Sequence, residues 1–534
     1  MASDRAVGMK HARRFAFPEN GPFVGPRQPE PDGIVDVGWD QNCPMPAYRV
    51  GDELVPFTPL AQIAPADERR DWRVEAFTDA EIKKRWAEAD ELTRERIRRK
   101  ASSIPVPHEF RATGALDARG RIDPHGKVDL RAIRRPAFFG AAPWSEAIAE
   151  VESRTSVVEF EVPREPYEVL HLGLTDPIRL RGWRIAGDGV PDGRGGRRRA
   201  LIVLTAGRTI ETTAIQHPDD PACAWNDDVG GWLQRSYPDE KGRTEGFGHR
   251  AWRTYLHAFA RAGFDVLTLD KRGHGVSGGA ADSNTNEQAE DIFRALDAME
   301  SGRGARILAA DGRLLEGASA AGYLLGDFGA RTIPVFLSGA SQGCMITCWA
   351  MHKNFVGPCD FERPNPGTRG PYGYNVKAAL LLAPFGGGLG FRSADDALVE
   401  ALRRSESNVQ MAPSGESLAG VAKWPALFIG RGLWDFAESL EGSLDCLRRC
   451  PGTRMIATVR ASHGEGEWGA DNLAYMQGRM VDFATAVLHQ QTIERYREPV
   501  TLRDVVAAAP ASWPSTAFPP TRAAREDQQV SVSC

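Results

Sequence analysis

The run Phe336-Leu337-Ser338-Gly339-Ala340-Ser341-Gln342-Gly343 sets a serine between two glycines in a G-x-S-x-G pattern, the arrangement of a serine nucleophile. The apolar residues ahead of it, IPVFLS, read as a buried strand, and QGCMITCWAMHKNF behind it reads as a helix. In a strand–turn–helix of this kind the serine occupies a strained turn where neighbouring side chains would collide. Small residues at Gly339 and Gly343 relieve that crowding and leave the Ser341 hydroxyl raised above the strand ends. The main-chain N–H of Gln342, at the start of the helix, would point toward a developing oxyanion. A serine hydroxyl is a weak nucleophile at neutral pH, so such a site also needs a histidine base and a carboxylate to fix that base's tautomer.

Elements that can hold such a turn surround it. VVEFEV from Val157 and the later IRLRGWRI alternate and read as two antiparallel strands. After them short apolar runs (LIVLT, DVLTLD, IPVFLS, KAALLLA, PALFIG, RMIATV) are separated by helical patterns such as NEQAEDIFRALDAME and NLAYMQGRMVDFATAVLHQ. Strands without polar alternation suit a mostly parallel, doubly wound α/β sheet covered on both faces.

With the serine turn in this setting, the stretch Asp270-Lys271-Arg272-Gly273-His274-Gly275-Val276-Ser277-Gly278 looks like the D-x-R-G-x-G-x-S loop of the α/β-hydrolase superfamily, which residues 155–490 resemble. The resemblance implies a structural role for that loop, so His274 is expected to be a turn residue. It also implies the order serine, acid, histidine along the chain. Of the histidines after Ser341, His352 falls on the turn's own helix and His489 near the end of the last one. His463, in the glycine-rich loop ASHGEGEW after RMIATV, is the expected base. Asp435 follows PALFIG in Gly432-Leu433-Trp434-Asp435, close to the superfamily's G-x-x-D turn though preceded by an unusual Arg431, and is the expected acid. Asp395, Asp396, Glu438 and Glu441 are its rivals. The second oxyanion donor should follow LIVLT, where relatives often carry His-Gly and this chain has Ala206-Gly207-Arg208. A main-chain N–H of Arg208 serves as well as any other.

Composition bounds the rest. The 534 residues carry 66 basic and 71 acidic side chains, a net charge of −5, which leaves no basic field for nucleic acid or an anionic membrane. Eight cysteines without CxxC spacing suggest neither zinc nor a disulfide scaffold, and a cytoplasmic protein with reduced thiols is expected. Residues 1–150 read as a Pro-rich arm followed by an amphipathic helix over EIKKRWAEADELTRERIRRK, expected to wrap the core or a partner subunit and so to permit a homo-oligomer. Residues 151–490 are the α/β-hydrolase domain and 491–534 a C-terminal tail. Insertions near 207–249, 301–331 and 385–424 are expected to form pocket walls or lids. Trp225, Trp232, Phe385, Trp424 and Trp434 would supply apolar surface, and Arg208 and Arg431 polar anchors.

These residues imply a serine hydrolase acting on a small, partly apolar carboxylic ester or lactone through an acyl-enzyme, with no metal or organic cofactor required. The same triad serves amides, thioesters and C–C bonds, and a catalytically silent hydrolase-like binding protein is the alternative of another class.

Overall fold

The computed structural model describes residues 130–134, 148–164, 175–207, 255–272, 277–278, 285–357, 370–384, 418–433, 435, 440–461, 469–491 and 502–510, with residues 87–88 and short strands at 33–38, 44–50, 53–56, 214–215, 225–226 and 231–232. Ten strands make one sheet: β1 (Thr155–Val162), β2 (Ile178–Ile185), β3 (Leu201–Thr205), β4 (Asp265–Leu269), β5 (Ala305–Leu308), β6 (Leu314–Glu316), β7 (Val335–Ala340), β8 (Val376–Leu382), β9 (Ala426–Gly432) and β10 (Thr453–Val459). Their spatial order is β6-β5-β1-β2-β4-β3-β7-β8-β9-β10. From β4 to β10 every pairing is parallel, and the β6 to β4 side is antiparallel. This mostly parallel sheet with helical cover is the α/β-hydrolase fold.

The apolar runs are continuous because each strand feeds two cores. Along β3, Leu201 and Val203 join one buried cluster while Ile202 and Leu204 join the other, and β8 alternates likewise through Ala378, Ala379, Leu380, Leu381 and Leu382. One cluster is closed by α2 (Thr285–Ser301), α3 (Gly317–Leu324), α4 (Gln342–Phe355) and α5 (Leu440–Arg449). The opposite cluster is closed by α1 (255–261) and α6 (Gly469–Leu488). A fully buried Leu or Phe in either cluster contributes about 1.5–3 kcal/mol.

The alternating strands β1 and β2 pair antiparallel as their pattern predicts, Thr155 opposite Ile185 and Val162 opposite Ile178. Apart from exposed Glu161, their charged residues nevertheless do not face water. Glu159 is fully buried and accepts from Arg181 Nε at 2.6 Å and Arg306 Nη1 at 2.7 Å, while Arg184 and Arg199 meet Asp265 at 2.9 and 2.6 Å. Burial pushes the Arg181 guanidinium below its usual pKa, and Glu159 beside it works the other way.

Several expected boundaries change. The 301–331 segment does not wall a site: it supplies β5, β6 and α3 and lengthens the sheet. β5 lies five strands from β7, about 24 Å at ordinary strand spacing, because antiparallel pairing to β1 gives an apolar segment a nearer place to bury. Within the expected tail, α7 (Leu502–Ala508) packs on the first core through Val505, Val506 and Ala509, and the Val505 carbonyl accepts from Thr458 Oγ1 at 3.1 Å. Within the expected arm, Gly33–Gly38, Pro44–Val50 and Glu53–Pro56 form an antiparallel sheet of their own. Leu130, within that arm, and Val151, just past it, are buried in the second core. Residues 87–88 are the described part of the expected amphipathic helix, and they are helical. Among the described residues no helix is long and apolar enough to cross a membrane, and no group of side chains could hold a metal ion.

Candidate active site

Strand β7 is central, flanked by β3 and β8, and its C-terminal end delivers Ser341 between strand and helix. Ser341 holds φ 49° and ψ −116°, a left-handed conformation that costs a non-glycine residue energy and persists only where its surroundings enforce it. Here they do. The Ser341 N–H donates to the Leu382 carbonyl at 2.9 Å and the Cys344 N–H to the Ser341 carbonyl at 2.9 Å, which clamps the turn from both sides. A Cβ on Gly339 would lie 2.0 Å from the Gly343 carbonyl oxygen, and one on Gly343 would lie 2.1 Å from the Thr205 oxygen. Both glycines are thus required by close main-chain approach, as the pattern predicts.

Gln342 opens α4, and its main-chain N–H finds no acceptor among the described residues. Its side chain is held from behind. Lys271 Nζ donates to Gln342 Oε1 at 3.1 Å, to the Ala206 carbonyl at 3.2 Å and to the Gly207 carbonyl, so one ammonium joins the end of β3 to the start of α4. Sequence reasoning missed Lys271, which stands at the variable position of the D-x-R-G-x-G-x-S pattern. The signal available was only that a long cation directly follows a buried strand. The loop's other described residues are used structurally: Arg272 meets Asp291 at 2.5 and 2.6 Å, and Ser277 Oγ donates to the Asp270 carbonyl at 2.6 Å while accepting from the Arg181 N–H at 2.8 Å. His274 lies outside the described residues.

Asp435 is fully buried just past the end of β9, its N–H bonded to the Gly432 carbonyl at 3.3 Å. Parallel pairing sets the ends of β7, β8 and β9 side by side, which puts Ser341 and Asp435 on one edge of the sheet about two strand spacings, roughly 10 Å, apart. Arg431 is no substrate anchor. It is wholly buried, and its guanidinium donates to Ser443 Oγ at 2.7 Å, to the Gly432 carbonyl at 3.2 Å and to the Asp435 carbonyl at 3.4 Å, stapling the acid's turn to α5. Trp424 is no pocket wall either. Two residues ahead of β9 it sits at the opposite edge of a parallel sheet, buried in the first core.

Of the remaining candidates, His463, Arg208, Phe385, Asp395, Asp396, Trp434 and Glu438 lie outside the described residues, as does the side chain of Glu441. Trp225 and Trp232 are register partners in a two-stranded antiparallel pair described by its main chain alone. His352 is eleven residues beyond Ser341 on α4, about 16 Å along the axis, and stacks edge-on against Trp349. Cys344, Cys348, Cys446 and Cys450 are buried thiols outside any disulfide among the described residues, the first two on α4.

No protein-family model matches the chain, and no curated protein matches it. Among solved structures it is similar to Est1E from Butyrivibrio proteoclasticus with ferulic acid bound, at 13% identity over 58% of this chain and 96% of that one, with a TM-score of 0.33. It is also similar to the thermophilic esterase Est2 from the planctomycete Thermogutta terrifontis, at 15% identity over 63% and 94% of the two chains and a TM-score of 0.33. The Pyrococcus furiosus esterase Pf2001 is similar at 13% identity over 57% and 87%, with a TM-score of 0.31. The fold assignment stands on strand order and on the turn at Ser341.

Proposed function

We propose that this chain is a serine hydrolase that cleaves a carboxylic ester or lactone of a small, partly apolar molecule through an acyl-enzyme. The observation that carries the reading is the left-handed Ser341, clamped between β7 and α4 with Gly339 and Gly343 in main-chain contact. A fold has little reason to strain a serine at the C-terminal edge of its central strand unless the hydroxyl is used there.

In this mechanism Ser341 Oγ attacks the carbonyl carbon while His463 takes its proton. Asp435 orients His463 and favours the imidazolium, and the N–H groups of Gln342 and Arg208 receive the tetrahedral oxyanion. Collapse expels the alcohol, protonated by His463, and water then attacks the acyl-enzyme with His463 again as base. Support for a small substrate comes from the sheet. The chain enters two long segments after Gly207 and after Pro384, from β3 and β8, the two neighbours of β7, and in this reading those segments supply the walls of a small-molecule pocket.

The test is labelling by a fluorophosphonate, with turnover of an ester panel that varies acyl and alcohol size. A single labelled site at Ser341 is expected, abolished in Ser341→Ala. Ser341→Ala, His463→Ala and Asp435→Asn should each lower kcat by roughly 10³-fold or more. Labelling of a different serine, or none, would overturn the assignment. Faster cleavage of emulsified long-chain lipid than of every small ester would overturn the substrate class.

A further inference from the structure

A buried ammonium needs a return for the water it gives up, and three hydrogen bonds of Lys271 converge on one place. Its side chain is almost wholly buried, and its three described acceptors belong to the two segments expected to supply the oxyanion amides. Two are the main-chain carbonyls of Ala206 and Gly207, where the chain leaves β3. The third is the side chain of Gln342, first residue of α4. Gly343 shows how tightly the same segments meet, with room for no more than a hydrogen where it faces the Thr205 and Ala206 carbonyls.

These bonds have a chemical consequence. The ammonium is tied to the end of β3 and to the side chain of Gln342, the residue whose N–H is assigned to the oxyanion, so a fixed positive charge stands at that end of the site. Such a charge favours a negative oxygen there, and low local polarity strengthens the effect.

We propose that Lys271 is a positioning residue for the oxyanion pocket: it aligns the end of β3, at Ala206 and Gly207, with the start of α4 and biases the pocket toward the anionic tetrahedral state. This rests on Ser341 being the nucleophile. Lys271 does not touch the substrate in this scheme, so it acts on the transition state more than on the bound ester.

The experiment compares the full chain with Lys271→Met and Lys271→Gln, using a small ester, a trifluoromethyl ketone that forms a tetrahedral oxyanion on the serine, and the matching methyl ketone that binds unreacted. Phosphonate labelling at Ser341 in the parent checks the underlying reading separately; without it that reading fails before Lys271 is tested. With labelling present, Lys271→Met should lose 10²- to 10³-fold in kcat with KM changed less than threefold. Binding of the trifluoromethyl ketone should weaken in parallel and binding of the methyl ketone should not. If Lys271→Met fails to fold, Lys271→Gln, which keeps a donor and loses the charge, should lose at least tenfold in kcat. A loss below tenfold in the folded variant, or equal weakening of both ketones, would overturn the proposal.

Discussion

Alanine at position 343 is a one-carbon test of how the serine turn is built. The added Cβ would lie 2.1 Å from the Thr205 carbonyl oxygen and 2.9 Å from that of Ala206. Both are main-chain atoms at the end of β3, so no side-chain rotation relieves the contact. Gly343 itself is not among the residues with positive φ, which leaves the contact, and not backbone conformation, as the cause. Ordinary contact at 3.4 Å requires the end of β3 and the start of α4 to part by about 1.3 Å. That motion separates the two main-chain segments assigned to the oxyanion and stretches the Lys271 bridge between them. Misplacement near 1 Å costs on the order of 10² in rate, and forcing a group into a packed interior costs about 1–3 kcal/mol. Gly343→Ala is therefore expected to slow phosphonate labelling of Ser341 about 10²-fold and to lower Tm by a few degrees. Gly478→Ala on α6, where a Cβ meets nothing within 4 Å, is the comparator and should be neutral or slightly stabilising. Labelling within threefold of the parent together with an unchanged Tm would refute the reasoning.

Other consequences concern stability. Glu159→Gln removes the carboxylate that neutralises Arg181 and Arg306 inside the sheet, and breaking a buried pair in this way should cost about 3–5 kcal/mol in denaturant unfolding; a midpoint equal to the parent's would show that the guanidiniums find other partners. Ending the chain at residue 501 removes α7 and the buried Val505 and Val506, an expected loss of about 3 kcal/mol or more, whereas ending it at 510 should leave the melting curve near that of the full chain. Equal melting of the two shortened chains would mean that α7 does not stabilise β10.

Local signals carried much of this protein. The G-x-S-x-G run between an apolar strand and a helix announced the strained Ser341, because the glycines it needs are its own near neighbours. The apolar runs announced a sheet with two covered faces, because strand residues such as Leu201 and Ile202 must find apolar partners on opposite sides. The place of Asp435, just past a buried strand, was legible likewise. Partners brought from a distance were not legible. Alternation along β1 reads as one wet face, and only the arrival of Arg306, 147 residues away, together with Arg181 makes an interior place for Glu159. Lys271 looks like any cation after a strand until β3 and α4, 71 residues further on, present three oxygens to it. Arg431 and Trp424 looked like pocket residues and are buried support, and α7 looked like tail and is core. The spacing of residues reports what a segment does with its own neighbours. Where a charge goes is decided by which distant groups can offset its loss of water, and those are brought together only by the tertiary fold.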